Sequence, residues 1–186
     1  MISLSRTILV VFTLLTLSAI LVLGNKPLQT STPDSGKLLQ VDGTVTVNGT
    51  AAISGTTVFS DSTVTTAARS SAVVSLGKLG RVEVLPDSTM RLSFGDSDVS
   101  VSMLDQGRVR ISSSSNVNAS VTTADGQVIS TGNQRNVFIV DTSCGNTFVS
   151  VKRGSVELRA GSTVKQIAAG NQDSAGTATP GCTPAG

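Results

Sequence analysis

The sequence has no histidine, no tryptophan and no tyrosine, and only five phenylalanines. Histidine is the usual general base near neutral pH and the commonest metal ligand. Its absence removes a required member from zinc, Ser-His-Asp and Cys-His chemistries. Few aromatic rings leave little with which to stack on sugars or single-stranded nucleic acid. Charge is sparse as well: 14 basic against 12 acidic residues give a net charge of +2 over 186 residues. Nucleic-acid binding calls for a strong basic excess, so no nucleic-acid partner is expected. No cofactor or metal is expected either, and the composition points away from an enzyme.

What the chain does have begins with one apolar run. After Arg6 comes "TILVVFTLLTLSAILVLG" (residues 7–24), with no charge until Lys26. This length lies between a signal-peptide core and a full spanning helix. "VLG" before residue 25 lacks the Ala-x-Ala of a good cleavage site, and no Cys follows for a lipid anchor. The segment 1–24 therefore reads as one N-terminal hydrophobic helix inserted in the inner membrane through residues 7–24. The alternative is a signal removed after Gly24. Positive charge ahead of the run keeps the N-terminus inside, which puts the rest of the chain in the periplasm or extracellular space. Residues 25–37, "NKPLQTSTPDSGK", are rich in Pro, Ser and Thr and read as a linker.

Two cysteines, Cys144 and Cys182, suit an oxidising compartment, where they are expected to form a disulfide holding the C-terminal tail to the body. Two free thiols are the alternative.

From Leu38 the pattern changes to short β-branched runs: "TVTV" (44–47), "AVVSL" (72–76), "VEVL" (82–85), "MRLSF" (90–94) and "VSVSM" (99–103). They continue as "RVRI" (108–111), "ASVTT" (119–123), "NVFIV" (136–140), "TFVSV" (147–151) and "VELR" (156–159). Most alternate apolar with polar residues, which buries one strand face and wets the other. Gly, Asp and Asn lie between them, at Asn48-Gly49, Asp87, Gly95-Asp96, Gly107, Asp125-Gly126 and Gly154, where tight turns need their conformational freedom. The stretch 62–89 is read in the same way, as two or three strands and their turns. The spacing predicts an all-β fold over residues 38–172. Short, nearly equal strands and an aromatic-poor core favour a β-solenoid-like stack over a wide sandwich. Residues 173–186 read as an irregular tail.

At this point the chain resembles a known family. "GTVTVNGTAAISGTTVFSDSTVTTAARSSAVVSL" (43–76) resembles the opening of the FecR-type periplasmic domain, with Gly55, the Ser60-Asp61 turn, Thr65-Thr66 and Ser71-Ala72 in matching places. "GRVEVLPDSTMRL" (80–92), "LDQGRVRI" (104–111) and "VTTADGQVISTGNQRNVFIV" (121–140) are similar to its later units. "TFVSVKRGSVELRAG" (147–161) resembles its last hairpin-like pair, and "IAAGNQ" (167–172) its Ala-Gly-Gln ending. The turn "TGNQRNVF" departs from the family's Gly-Thr-x-Phe. The resemblance implies an all-β periplasmic module. In the regulators that name the family, this module helps to carry a signal from an outer-membrane receptor to a sigma factor. Only about six residues precede the apolar run and only a short tail follows residue 172. The expectation here is the fold and the compartment, without a sigma-factor-holding domain. The expected role is a non-catalytic sensing or protein-interaction module whose partner is an envelope protein or glycan. The alternative is a structural or adhesive envelope element.

Several residues invite a sharper reading. Asp141-Thr142-Ser143 after an apolar strand has the look of an aspartic-protease carboxylate. That chemistry needs a second facing Asp, and the other Asp-Ser-Gly, Asp34 to Gly36, lies in the linker. A hydrolase is thus the remote alternative, and a turn capped by Asp141 the plainer account. "GDSD" (95–98) offers two carboxylates, short of the six or more oxygens that Ca²⁺ takes. Arg81, Arg91, Arg108 and Arg110 suggest a basic stripe for anionic glycans. With Glu83, Asp87, Asp96, Asp98 and Asp105 among them, a mixed solvated face is the plainer account. Asn48-Gly49-Thr50 and Asn118-Ala119-Ser120 match the glycosylation pattern and read as turn chemistry.

Overall fold

The computed structural model describes residues 35–184. The apolar segment 1–24 and most of the 25–37 linker lie outside the described residues. Among the described residues no helix is long and apolar enough to cross a membrane.

Among the described residues, the fold consists of seventeen strands and one 3₁₀ turn, Gly77–Leu79. The strands are β1 (Ser35–Asp42), β2 (Val45–Val47), β3 (Thr50–Ala51), β4 (Thr57–Phe59), β5 (Ser62–Thr66) and β6 (Ser71–Ser75). Then come β7 (Gly80–Val84), β8 (Ser88–Phe94), β9 (Asp98–Met103), β10 (Arg108–Ser113), β11 (Asn118–Thr122) and β12 (Gln127–Ser130). The last five are β13 (Asn136–Asp141), β14 (Thr147–Arg153), β15 (Ser155–Ala160), β16 (Thr163–Ala168) and β17 (Gln172–Ala175). They form two open sheets. Sheet A has the order β17-β14-β13-β10-β7-β6-β1-β4, and sheet B the order β16-β15-β12-β11-β9-β8-β5-β2-β3.

Period-two sequence explains why the sheets face one another. In β7 and β10 the apolar residues alternate with polar ones and are buried, and in β6 and β9 burial likewise alternates along the strand. Val74, Val82, Val84, Val109 and Ile111 of sheet A join Val64, Met90, Leu92, Val101 and Val121 of sheet B in one core. Phe138 is the largest fully buried side chain. The chain crosses between sheets repeatedly, so both grow from an N-terminal edge (β3, β4) to a C-terminal edge (β16, β17).

This is the all-β fold expected, with strands in each of the β-branched runs. The stack, however, takes the form of two sheets. A regular β-solenoid lays successive coils in parallel register. Here every ladder is antiparallel except β9–β11. Tight reversals such as Asn48-Gly49, both at positive φ, return the chain beside itself and enforce antiparallel pairing. Two boundaries also move. β1 starts at Ser35, inside the expected linker, because Ser35 to Lys37 pair with β4. β17 runs into the expected irregular tail, because Gln172 to Ala175 pair with β14. Nor are β14 and β15 a hairpin: β14 pairs β13 and β17, whereas β15 pairs β12 and β16. Gly154, at φ +80, turns the chain from one sheet to the other.

Cys144 and Cys182 are joined, with Cα atoms 5.6 Å apart. The bridge fixes the tail to the turn after β13, helped by the Thr179 amide, which donates to the Cys144 carbonyl at 2.8 Å.

Candidate functional site

The outward face of sheet A carries the most distinctive surface. The ladder registers pair Lys37 with Ser75, Ser75 with Arg81, Arg81 with Ser112, Ser112 with Val137, and Val137 with Arg153. One row therefore crosses six strands, from β1 to β14, at one end of the sheet. A groove of about 490 Å³ lies along it, lined by Arg81, Arg135 and Arg153, by Ser75, Ser112 and Ser114, and by Leu39 and Val137. No acidic residue lines this groove. Among the described residues, none of the three guanidiniums makes an ion pair.

Local structure explains each member. In β7, Arg81 alternates with buried Val82 and so faces outward. Gly80 beside it sits at φ +126, and a Cβ there would come within 2.1 Å of the Ser112 carbonyl oxygen. Only glycine lets β7 and β10 approach this closely. Arg135 ends the β12–β13 loop, which the buried Asn136 amide clamps. Its Nδ2 donates to the Thr131 carbonyl at 2.8 Å and to the Gln134 carbonyl at 2.9 Å. Its Oδ1 accepts from the Ser155 amide at 3.0 Å. Arg153 owes its position to a bulge: Val137 pairs with Arg153 but Phe138 pairs with Val151, so Lys152 is the extra residue. A second irregularity, between Leu38 and Gln40, leaves Leu39 unpaired and 59% exposed at the opposite end of the groove.

The arginines singled out by sequence behave differently. Arg91 lies on sheet B, away from the other three. Arg110 is paired with Glu83 at 3.1 Å, and Arg108 lies opposite Asp141 in the ladder. The stripe of Arg81, Arg91, Arg108 and Arg110 is thus divided, and the mixed face is what Glu83 and Arg110 make. Only Arg81 belongs to the groove, and its companions are Arg135 and Arg153. Their separations in sequence hide the cluster, and only the strand register brings it together.

The remaining candidates resolve into turns. Asp141 is 2% exposed, and its Oδ1 accepts hydrogen bonds from the Ser143 amide at 2.8 Å and from the Ser143 hydroxyl. Thr142 Oγ1 accepts from the Gly107 amide at 3.0 Å and donates to the Gly107 carbonyl. A hollow of about 240 Å³ is lined by Asp141 together with Asp87, Ser143 and Arg108. Asp98 accepts from the Asn118 amide at 3.0 Å. Among the described residues no group of three or more acidic or Cys side chains is placed to hold a metal ion. Asn48 Oδ1 accepts from the Thr63 amide at 2.8 Å, which is the turn chemistry expected of it.

No family model matches the sequence, and no curated protein matches it. Two crystal structures of a “putative anti-sigma factor” from Parabacteroides distasonis ATCC 8503, at 2.50 and 1.65 Å resolution, are similar to this chain. Each has a TM-score of 0.53 at 18% sequence identity, covering 66% of this chain and 57% of its own. The chain therefore spans a little over half the length of that protein, and what the two share is the fold.

Proposed function

We propose that this chain is a non-catalytic sensing or protein-interaction module of a bacterial cell envelope, built on a FecR-like all-β domain. The observation that carries the reading is the fold it shares with the Parabacteroides protein, taken together with the resemblance of residues 38–172 to FecR-type periplasmic domains. A disulfide between Cys144 and Cys182 suits an exported domain. The apolar segment at residues 7–24 supplies the inner-membrane anchor in this reading, with the domain outside the cytoplasm. Asp141, hydrogen-bonded to its own turn, supports a module without catalysis.

The experiment is affinity capture from detergent-solubilised envelopes with the full chain as bait. One discrete partner in stoichiometric amount is the expected result, and its absence overturns the reading. A second reading, a structural or adhesive element, is favoured by the open sheet edges, near which Ile53 (75% exposed), Phe59 and Val164 lie uncovered. Self-assembly of the purified chain, or its retention on peptidoglycan, would support that reading.

A further inference from the structure

We propose that the groove on sheet A is an acidic-peptide site, through which the module grips a carboxylate-bearing extended segment of its partner. This rests on the interaction reading above and names the chemistry of the partner. Three arginines line one recess that no acidic residue lines. Each presents a planar fork matched to a carboxylate. Ser75, Ser112 and Ser114, which line the same recess, add hydroxyl donors.

The spacing favours a polypeptide. Arg81 on β7 and Arg153 on β14 are three ladder steps apart, across β10 and β13. At about 4.8 Å per step the separation is roughly 14 Å. An extended chain advances about 3.4 Å per residue, so acidic side chains at positions i and i+4 share a face and meet both arginines. Leu39 and Val137 give apolar contacts in the same groove, which suit an apolar side chain of the same segment. No aromatic ring lines the recess, so the stacking surface that a sugar ring uses is lacking. The peptide is therefore preferred to an anionic glycan or a lipid headgroup.

The test is fluorescence anisotropy with the full chain. The probe is a fluorescein-labelled extended peptide carrying two Glu four positions apart with Leu between them, compared with its Gln counterpart. Arg81, Arg135 and Arg153 are all exposed, so the triple replacement R81E/R135E/R153E leaves the core intact. The neutral triple R81Q/R135Q/R153Q serves as a second variant. R91E, on the other sheet, is the matched control. Expected are saturable binding of the Glu peptide, at least about tenfold weaker binding of the Gln peptide, and a similar loss in both triples but not in R91E. Affinity should also fall as salt rises from about 50 to 300 mM.

No saturable binding up to about 1 mM peptide overturns the proposal. So does equal binding by R91E and the triples, or preference for oligogalacturonate or phosphatidylglycerol vesicles over the peptide. Failure here is distinguishable from failure of the interaction reading. A partner captured equally by wild type and by the triple variants removes the groove but keeps the module. Peptide binding without any envelope partner does the reverse.

Discussion

Replacing Asn136 by Ala probes how the loop bearing Arg135 is built. The Asn136 amide is fully buried and makes three hydrogen bonds, two to loop carbonyls and one from the Ser155 amide at the sheet-to-sheet corner. Each such bond contributes about 0.5–1.5 kcal/mol net, and a buried donor left unpaired costs about 1–3 kcal/mol. Gln134 is exposed and Thr131 and Ser155 are half-buried, so water relieves part of that cost. We therefore expect a loss of about 2–4 kcal/mol. It should appear as a lower urea midpoint at unchanged m-value. N136D separates hydrogen bonding from packing. It keeps an acceptor for the Ser155 amide but sets carboxylate oxygen against the Thr131 and Gln134 carbonyls, so it should be at least as damaging as N136A. Peptide affinity should fall in both variants as Arg135 loses its anchor. A loss under about 0.5 kcal/mol in N136A, or a milder effect in N136D, refutes this account of the loop.

Gly80→Ala forces a side chain against the Ser112 carbonyl from a φ of +126. It should cost about 2–4 kcal/mol in urea unfolding and weaken the groove as well, since β7 and β10 must part. Cys182→Ser opens a loop of sequence separation 38, whose closure corresponds to about 4 kcal/mol in the chain-entropy model. Fraying of the tail beyond β17 returns some of that, so a loss of about 2–4 kcal/mol is expected, with no further loss on adding reductant. Asp173 has its carboxyl held below its ordinary value of 3.8 by the Lys165 hydrogen bond first and then by the Ser174 amide. A depressed folded-state value contributes stability above the unfolded pKa that disappears as pH falls through the folded one. Wild type should therefore lose a small increment below about pH 4 that D173N lacks, small because Lys165 and Asp173 are each about 40% exposed.

The strands were legible wherever alternation was long enough to read. "VSVSM" and "RVRI" place their apolar residues inward as β9 and β10. β3 and β4 have two and three residues, too few for a period to emerge. Alternation also states that one face is buried without stating against which sheet. The hairpin-like pair that the family resemblance implied for 147–161 is accordingly divided between the sheets at Gly154. The disulfide was legible because only two cysteines exist. The groove was not. Arg135 sits in a loop, Arg153 follows a bulge, and Arg81 neighbours both only through β10 and β13. Register is a tertiary property, and here it decides which cations share a recess.

The most direct test of the central claim, that this domain acts by gripping a partner, is site-specific photo-crosslinking in the cells that make it. The crosslinker is placed at Ser112, in the groove on sheet A, or at Ser100, on the outer face of sheet B. The account predicts one discrete crosslinked protein from Ser112, lost in R81E/R135E/R153E, and none from Ser100. A crosslinked partner from Ser100 with nothing from Ser112 would contradict it.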